Sequence, residues 1–155
     1  MAVQRDNPYG AFNFQVTVDR IGGGDASAVA AGFQEVSGLG TEVTIAEYRN
    51  GNEKENHVRK MNGLYKTSDI TLKRGVIGVT DFFAWIRDTR DGVQAVPPVS
   101  LKIELLDEAH TATVMTWKLT AARPMKYTGA TLNAKTGTDV AIEELVLACE
   151  KLDVE

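Results

Sequence analysis

The stretch Thr71–Ile86, TLKRGVIGVTDFFAWI, passes from a predicted strand into the best predicted helix of the chain. Just before it, Ile70 begins an alternation with Leu72 that is typical of a half-buried strand. Between strand and helix lies Lys73-Arg74-Gly75, two cations followed by a glycine. The stretch therefore predicts a strand that leads into a helix covering the sheet. It also raises the question of whether the two cations bind a ligand.

The helix is predicted over residues 80–88, TDFFAWIRD. Thr80 can cap its first turn, and Asp81 carries the negative charge that a helix N-terminus favours. An apolar stripe broad enough to cover one face of a sheet runs along the helix and consists of Phe82, Phe83 and Ile86. Trp85 and Trp117 are interpreted as core residues.

Most of the remaining chain alternates between apolar and polar residues, which predicts strands. They span residues 12–19, 32–40, 41–48, 68–74, 99–107 and 111–121. The last two form the arms of a hairpin around Asp107–His110. Its inward-facing rows are predicted to be Val99, Leu101, Ile103 and Leu105 on one arm, and Met115, Trp117 and Leu119 on the other.

The C-terminal segment 141–152, AIEELVLACEKL, permits two interpretations. A helix would place on one face the residues Ile142, Leu145, Val146, Cys149 and Leu152. A strand would instead align Leu145, Leu147 and Cys149. The local pattern leaves both open.

The composition is that of an ordinary globular protein in a single domain, residues 1–155. The chain is 43% hydrophobic and 25% charged, with a formal net charge of −4. This charge argues against general nucleic-acid binding. Neither a signal peptide nor a membrane-spanning apolar run is evident, so we expect a protein made in the bacterial cytoplasm with no membrane insertion of its own. Cys149 is the only cysteine, which excludes an internal disulfide.

Lys73-Arg74-Gly75 is a weak candidate for a phosphate site, because it lacks the longer glycine-rich loop of a P-loop. We interpret it as a solvated strand end. His57 and His110 are the only histidines, and a metal site would require both to meet with a carboxylate. Cys149 has no neighbouring cation in sequence to lower its pKa. The sequence therefore predicts no enzyme and no cofactor.

The distribution of charge is more distinctive. Segment 49–60, RNGNEKENHVRK, has a balance of +2 and a single aliphatic residue, which predicts a polar loop or an exposed hairpin. Segment 143–155 has a balance of −4. These two segments either pair between copies of the protein or form ordinary solvated surfaces.

Several motifs, in order, resemble the tail-tube proteins of contractile phage tails and phage-tail-like injection systems. They are FQEVSGLGTEVTIAEYRNGN, KMNGLYKTSDITLKRGVIG and LNAKTGTDVAIEELVLACEKL, and the resemblance runs from about Phe12 to Leu152. Two positions depart from the usual pattern. Asn62 stands where proline is expected, and Thr67-Ser68 replaces an aromatic-proline pair. Both departures affect loop detail.

The resemblance implies a mainly β fold, a small antiparallel β-barrel or sandwich with one flanking helix, and a C-terminal strand. It also implies that six copies form a ring and that rings stack into a hollow tube within a sheath. Sheath, baseplate or spike, and tape-measure proteins are the implied partners, and the cargo in the lumen is protein or DNA. The alternatives are a type VI secretion ring protein and a monomeric barrel that binds phosphate or a small ligand.

The resemblance further implies that the polar arm, residues 49–60, reaches an adjacent subunit. Together with the charge distribution, it gives a set of candidate subunit-interface residues: Glu47, Tyr48, Arg49, Asn52, Glu53, Lys54, Glu55, Asn56, His57, Arg59, Lys60, Lys73, Arg74, Glu143 and Glu144.

Overall fold

The computed structural model describes residues 5–19, 29–92, 98–135 and 137–155. Within these ranges the chain forms one helix, α1, and ten strands. The helix is Asp81–Arg90. The strands are β1 Phe14–Val18, β2 Val29–Ala31, β3 Glu35–Ser37, β4 Thr41–Tyr48, β5 Arg59–Thr67, β6 Ile70–Gly75, β7 Val99–Leu106, β8 Thr113–Thr128, β9 Ile142–Ala148 and β10 Lys151–Val154. No helix in the described part is long and apolar enough to cross a membrane.

Eight strands form one antiparallel sheet that bends over the core. Its main path is β2-β1-β7-β8-β9-β6-β3, and β10 also pairs with β8. The first half of β8 pairs with β7 and β10, and its second half pairs with β9. The bend lies at Ala121, whose φ is 57°. The predicted mainly β, antiparallel class with one helix is confirmed, and the two halves of the sheet form an open sandwich rather than a closed barrel.

The core lies between the two halves of this sheet. Buried side chains alternate along the central strands, as a period of two requires. They are Val16, Val18, Ile70, Leu72, Val99, Leu101, Ile103, Leu119, Leu145 and Leu147. The predicted hairpin rows are confirmed except near the turn that joins the two arms. There, Leu105 is half-buried and Met115 is exposed, and Trp117 is half-buried against the core.

The C-terminal segment is a strand, as the family resemblance implied. β9 lies between β6 and β8, so its backbone is paired on both sides. Leu145 and Leu147 are fully buried, whereas Val146, which a helix would bury beside Leu145, is only half-buried. Pairing with two neighbours therefore overrides the local helical spacing.

Helix α1 closes the sandwich, but the apolar side chains that it buries differ in part from the predicted stripe. Phe82 and Trp85 are buried, while Phe83 is 43% exposed, so the predicted stripe was wrong at Phe83. Thr80 occupies the N-cap position but makes no side-chain capping hydrogen bond. Instead, the carboxylate of Asp81 accepts a hydrogen bond from the backbone N–H of Phe82 at 2.9 Å.

A long two-stranded ribbon leaves the sandwich at the start of β6, the end of that strand away from α1. β3 pairs with β6 within the sheet. β4 follows β3 in the chain, β5 precedes β6, and these two strands pair with each other outside the sheet. The ribbon changes direction at Gly38, whose φ is 83°. A Cβ atom there would lie 2.0 Å from the carbonyl oxygen of Asp69, so only glycine fits. We call residues Thr41–Thr67 the projecting hairpin.

Candidate assembly surfaces

The projecting hairpin is exposed on both faces. Every residue of β4 is exposed, and so is every residue of β5 except Thr67. The strand register places Val43 opposite Tyr65, with Ile45 on the same face. Each of these three side chains is about half exposed. One face of the hairpin therefore presents an apolar row that nothing in the described part of the chain covers.

A β-bulge gives the opposite face its own apolar row. Thr44 lies opposite both Gly63 and Leu64, because the register shifts between Val43 and Ile45. Gly63 is required there, since a Cβ atom would lie 2.7 Å from the carbonyl oxygen of Thr44. The bulge turns Leu64 outward on the face of Tyr48 and Met61. Leu64 is 86% exposed, the most exposed of the large apolar side chains described.

Such a hairpin is poorly suited to remain alone in water. An isolated two-stranded ribbon is at best marginally stable, and contiguous exposed apolar groups mark interaction sites. In the described part of the chain its base is fixed to the sandwich, where the Thr67 hydroxyl donates to the carbonyl oxygen of Glu150 at 3.5 Å. The prediction of a strand over residues 41–48 is confirmed by β4, but β5 and the exposure of both strands were not predicted.

The loop at the end of the hairpin, residues 49–58, is organised from within. The Arg49 guanidinium donates to the carbonyl oxygens of Glu53 and Glu55 at 3.0 and 3.2 Å. Arg59 pairs with the Glu53 carboxylate at 2.9 Å, and His57 with the Glu55 carboxylate at 3.1 Å. Much of the charge predicted to pair between copies is therefore engaged inside the loop.

Six other interface candidates lie on or beside this loop. Lys54 and Lys60 form no ion pair in the described part of the chain, so their charges are available to a partner. Tyr48 donates its hydroxyl hydrogen to Asn50 within the loop, at 2.5 Å. Glu47, Asn52 and Asn56 are exposed. An interface role for these residues stays a prediction.

Arg74 is buried, so the interpretation of residues 73–75 as a solvated strand end was wrong for it. Its side chain is 4% exposed, and its Nε donates to Glu143 Oε1 at 2.5 Å. Both terminal nitrogens donate to the Asp81 carboxylate at the start of α1. The guanidinium also lies over the Phe82 ring, 3.7 Å from its centroid. We call Arg74, Asp81, Glu143 and Tyr127 the helix-anchoring cluster.

Tyr127 completes the cluster by donating its hydroxyl hydrogen to Glu143 Oε2 at 3.0 Å. Burial raises the pKa of Tyr127, and the hydrogen bond to Glu143 raises it further. Burial acts to lower the pKa of Arg74, but hydrogen bonds to Asp81 and Glu143 outweigh it, so the pKa is raised. Arg74 therefore keeps its positive charge, and the hydrogen bonds of the cluster join β6, β9, β8 and α1.

Residues adjacent in sequence within the set of interface candidates lie on opposite faces of the sheet. Arg74 and Glu143 pair with each other inside the subunit, and an interface role for them stays a prediction. Lys73 and Glu144 lie on the opposite side of the sheet, where Lys73 approaches the Glu35 carboxylate at 3.6 Å. The period of two could have found this, because Arg74 continues the buried row of Ile70 and Leu72.

In the described part of the chain, the histidine, cysteine and acidic side chains form no metal site, and the lone thiol is not activated. Across residues 5–19, 29–92, 98–135 and 137–155, no group of three histidine, cysteine or acidic side chains could hold a metal. Cys149 is half-buried and packs against the core. Burial, with a smaller contribution from the charge of Asp69, raises the pKa of its thiol. A raised pKa disfavours the reactive thiolate.

Comparison with known proteins places the geometry in context. Residues 10–153 match the model of the T4-like virus tail tube protein gp19 family. The fold superposes with a TM-score of 0.80 on a chain of the sheath-tube complex of an extracellular contractile injection system, PVC, in the extended state. The two chains are 30% identical over 97% of this chain and 93% of that one.

Two further structures are similar. A chain of the anti-feeding prophage tube-terminating cap is 26% identical over all of this chain and 94% of that one, with a TM-score of 0.77. A type six secretion system protein shares the fold at 15% identity and a TM-score of 0.51, over 93% of this chain and 83% of that one. No curated protein matches the sequence. The family match spans nearly the whole chain, and the chain therefore belongs to the T4-like virus tail tube protein gp19 family.

Proposed function

We propose that this tail tube protein is the structural inner-tube subunit of a phage-tail-like injection particle. Copies close into rings of six, and the rings stack into a hollow conduit that a contracting sheath drives through a target envelope. The observation that carries this proposal is the projecting hairpin, with uncovered apolar rows on both faces. Each subunit, a single tail-tube domain, would use the hairpin to contact another copy. The role is structural, without catalysis.

The open edges of the sheet also suit ring formation. A ring uses heterologous contacts, in which one surface meets a different surface on the neighbour. β3 ends the sheet path on one side, so a neighbouring strand could satisfy its unpaired backbone groups. The similarity to a chain of a sheath-tube complex supports a sheath around the tube. Baseplate or spike and tape-measure proteins, and protein or DNA cargo in the lumen, complete the proposed assembly, which forms in the bacterial cytoplasm.

A type VI secretion ring protein is the second candidate, because a protein of that system shares the fold. The higher identity and TM-score of the injection-system chain favour the first candidate. Purified protein mixed with the sheath protein of the same gene cluster should form sheathed tubes visible by electron microscopy. Rings that ignore this sheath but recruit type VI components would favour the second candidate.

A monomeric phosphate-binding barrel is the least supported alternative, because both carboxylate partners of Arg74 already occupy its guanidinium. Calorimetry with inorganic phosphate and nucleotides should therefore detect no binding. A micromolar phosphate site that Lys73→Ala removes would reverse this ranking.

Assembly itself can be tested by sedimentation and negative-stain microscopy across a concentration series. The wild type should form six-fold rings or tubes. Replacing the apolar row with threonine at Val43, Ile45 and Tyr65 should leave a folded monomer, because these side chains contribute little to the subunit core. The matched control replaces exposed apolar residues elsewhere, Val76 and Ile77, and should still assemble. A wild-type protein that stays monomeric throughout, even with sheath protein present, would contradict the proposed function.

A further inference from the structure

A groove of about 740 Å³ lies beside the outer edge strand β3. Gln34, Thr131 and Ile142 line it, and it continues into a smaller depression that reaches Glu35, Lys73 and Glu144. We call it the 129–142 groove, because most of its lining residues come from segments 129–133 and 138–142. It lies on the opposite side of the sheet from the helix-anchoring cluster, because Lys73 and Glu144 border it while Arg74 and Glu143 do not.

The groove combines exposed apolar side chains with polar ones and has a mainly acidic rim. Leu132 is 84% exposed and Val140 is 74% exposed, values that are high for large apolar side chains. Asp139 lines the main groove and Glu144 its extension. Neither carboxylate forms an ion pair within the described ranges of the chain. Lys73 lies in the same extension, opposite Glu144 and 3.6 Å from the Glu35 carboxylate, so the rim as a whole keeps a net negative charge.

The bulged face of the projecting hairpin has the complementary character. Leu64 protrudes there with Met61 beside it, and Lys66 lies two residues further along the same strand face. Lys66 forms no ion pair within the described part of its own chain, although Glu42 lies opposite it on β4. The protruding Leu64 beside this lysine therefore matches the exposed Leu132 and Val140 beside the carboxylates of the groove.

We propose that the 129–142 groove of one copy receives the Leu64 face of the projecting hairpin from a second copy, with Lys66 facing the acidic rim. This proposal rests on the proposed function and names the receiving surface. The contact is heterologous, as a closed ring or a stack requires. A protruding apolar side chain inserted into a pocket is the usual form of an interface anchor, and the charges around it select the partner and its orientation.

Disulfide trapping tests the contact in assembled protein. Leu64→Cys and Leu132→Cys are combined in a Cys149→Ser background, and the tubes are oxidised and run on a denaturing gel without reductant. Covalent dimers and larger species should appear for the pair and not for either single variant. The pair Leu64→Cys with Phe12→Cys is the control, because Phe12 is exposed but does not line the groove. Its oxidation should leave mostly monomer.

A charge exchange provides the second readout. Lys66→Glu and Asp139→Lys should each raise the protein concentration needed for assembly by up to about fivefold per contact, and the double variant should restore it. Tubes without the 64–132 cross-link, or a double variant no better than its parents, would overturn this proposal alone. Absence of rings in the wild type would overturn the proposed function and this proposal with it.

Discussion

β5 and β6 follow each other directly in the chain, yet they lie in opposite environments. Along β6 the residues alternate between buried and half-buried, because β3 and β9 pair with its two edges and the core lies under one face. Along β5 only Thr67 is buried, because β4 is its single partner. The subunit therefore completes the environment of β6 by itself. In the described part of the chain it leaves both faces of β5 exposed.

Two arginines repeat this difference. Arg74 on β6 is buried between two carboxylates and a phenylalanine ring, so removing it would leave negative charge in the interior. Arg49 at the end of β4 is exposed and donates mainly to carbonyl oxygens of its own loop. Charge thus stabilises the sandwich at one position and orders an exposed loop at the other. Substitutions in the two regions should differ in the same way.

The largest effect is expected from Arg74→Ala. Removing one partner of a buried ion pair leaves the other uncompensated, which typically costs about 3–5 kcal/mol of unfolding free energy. The measurement is urea unfolding of the subunit at a concentration below assembly. Lys73→Ala, one residue away but 34% exposed and singly paired, is the control and should cost at most about 1 kcal/mol. Equal losses for the two variants would show that the helix-anchoring cluster does not hold α1 to the sheet.

Gly38→Ala acts at the junction between the two regions and should have an intermediate effect. A side chain at a φ of 83° is strained by about 1–3 kcal/mol, and its Cβ would also collide with the carbonyl oxygen of Asp69. Stability should therefore fall, and the hairpin should change its angle to the sandwich. Gly51→Ala is the control, because its Cβ would meet nothing within 4 Å. Wild-type stability and wild-type tubes from Gly38→Ala would contradict a fixed junction.

The sandwich was more predictable from sequence than the assembly surfaces. Alternation identified β1, β4, β6 and the β7–β8 hairpin, because each has a repeating pattern that local reasoning can recognise. It could not decide β9, where apolar residues fall at both helical and strand spacing. Pairing on both edges decides that segment, and this pairing is a tertiary property. The family resemblance supplied the correct choice.

The exposure of the hairpin strands was not predicted, for a related reason. Val43, Ile45 and Tyr65 have the alternation of a buried strand, and nothing in the sequence indicates that the chain itself leaves them uncovered. Arg74 shows the converse, because a basic residue at a strand end suggests solvent while its partner Glu143 is distant in sequence. Which polar residue is buried, and which apolar residue is exposed, depends on contacts between segments far apart in the chain.

The smallest effect on the subunit is expected from substitutions in the loop, residues 49–58. Arg49→Ala removes hydrogen bonds to an exposed loop, so the unfolding free energy should change by no more than about 0.5 kcal/mol. The amides of residues 53–56 should nevertheless exchange hydrogen faster, because the Arg49 side chain holds this part of the loop. Lys54→Ala should leave that exchange unchanged, since Lys54 forms no ion pair within the described chain.

The same two variants separate loop order from charge pairing between copies. If Lys54 meets an acidic residue on a neighbour, wild-type tubes should shorten as salt rises, because the Debye length falls to about 3 Å at 1 M salt. Lys54→Ala should then remove part of that salt dependence. Arg49→Ala should shorten tubes at every salt concentration, because a disordered loop costs entropy when it is fixed against a neighbour.

The measurement is tube length by microscopy for the wild type and both variants, from low to high salt. Full-length tubes from both variants at all salt concentrations would show that the loop is ordinary solvated surface and that contact between copies is made by the apolar strands alone.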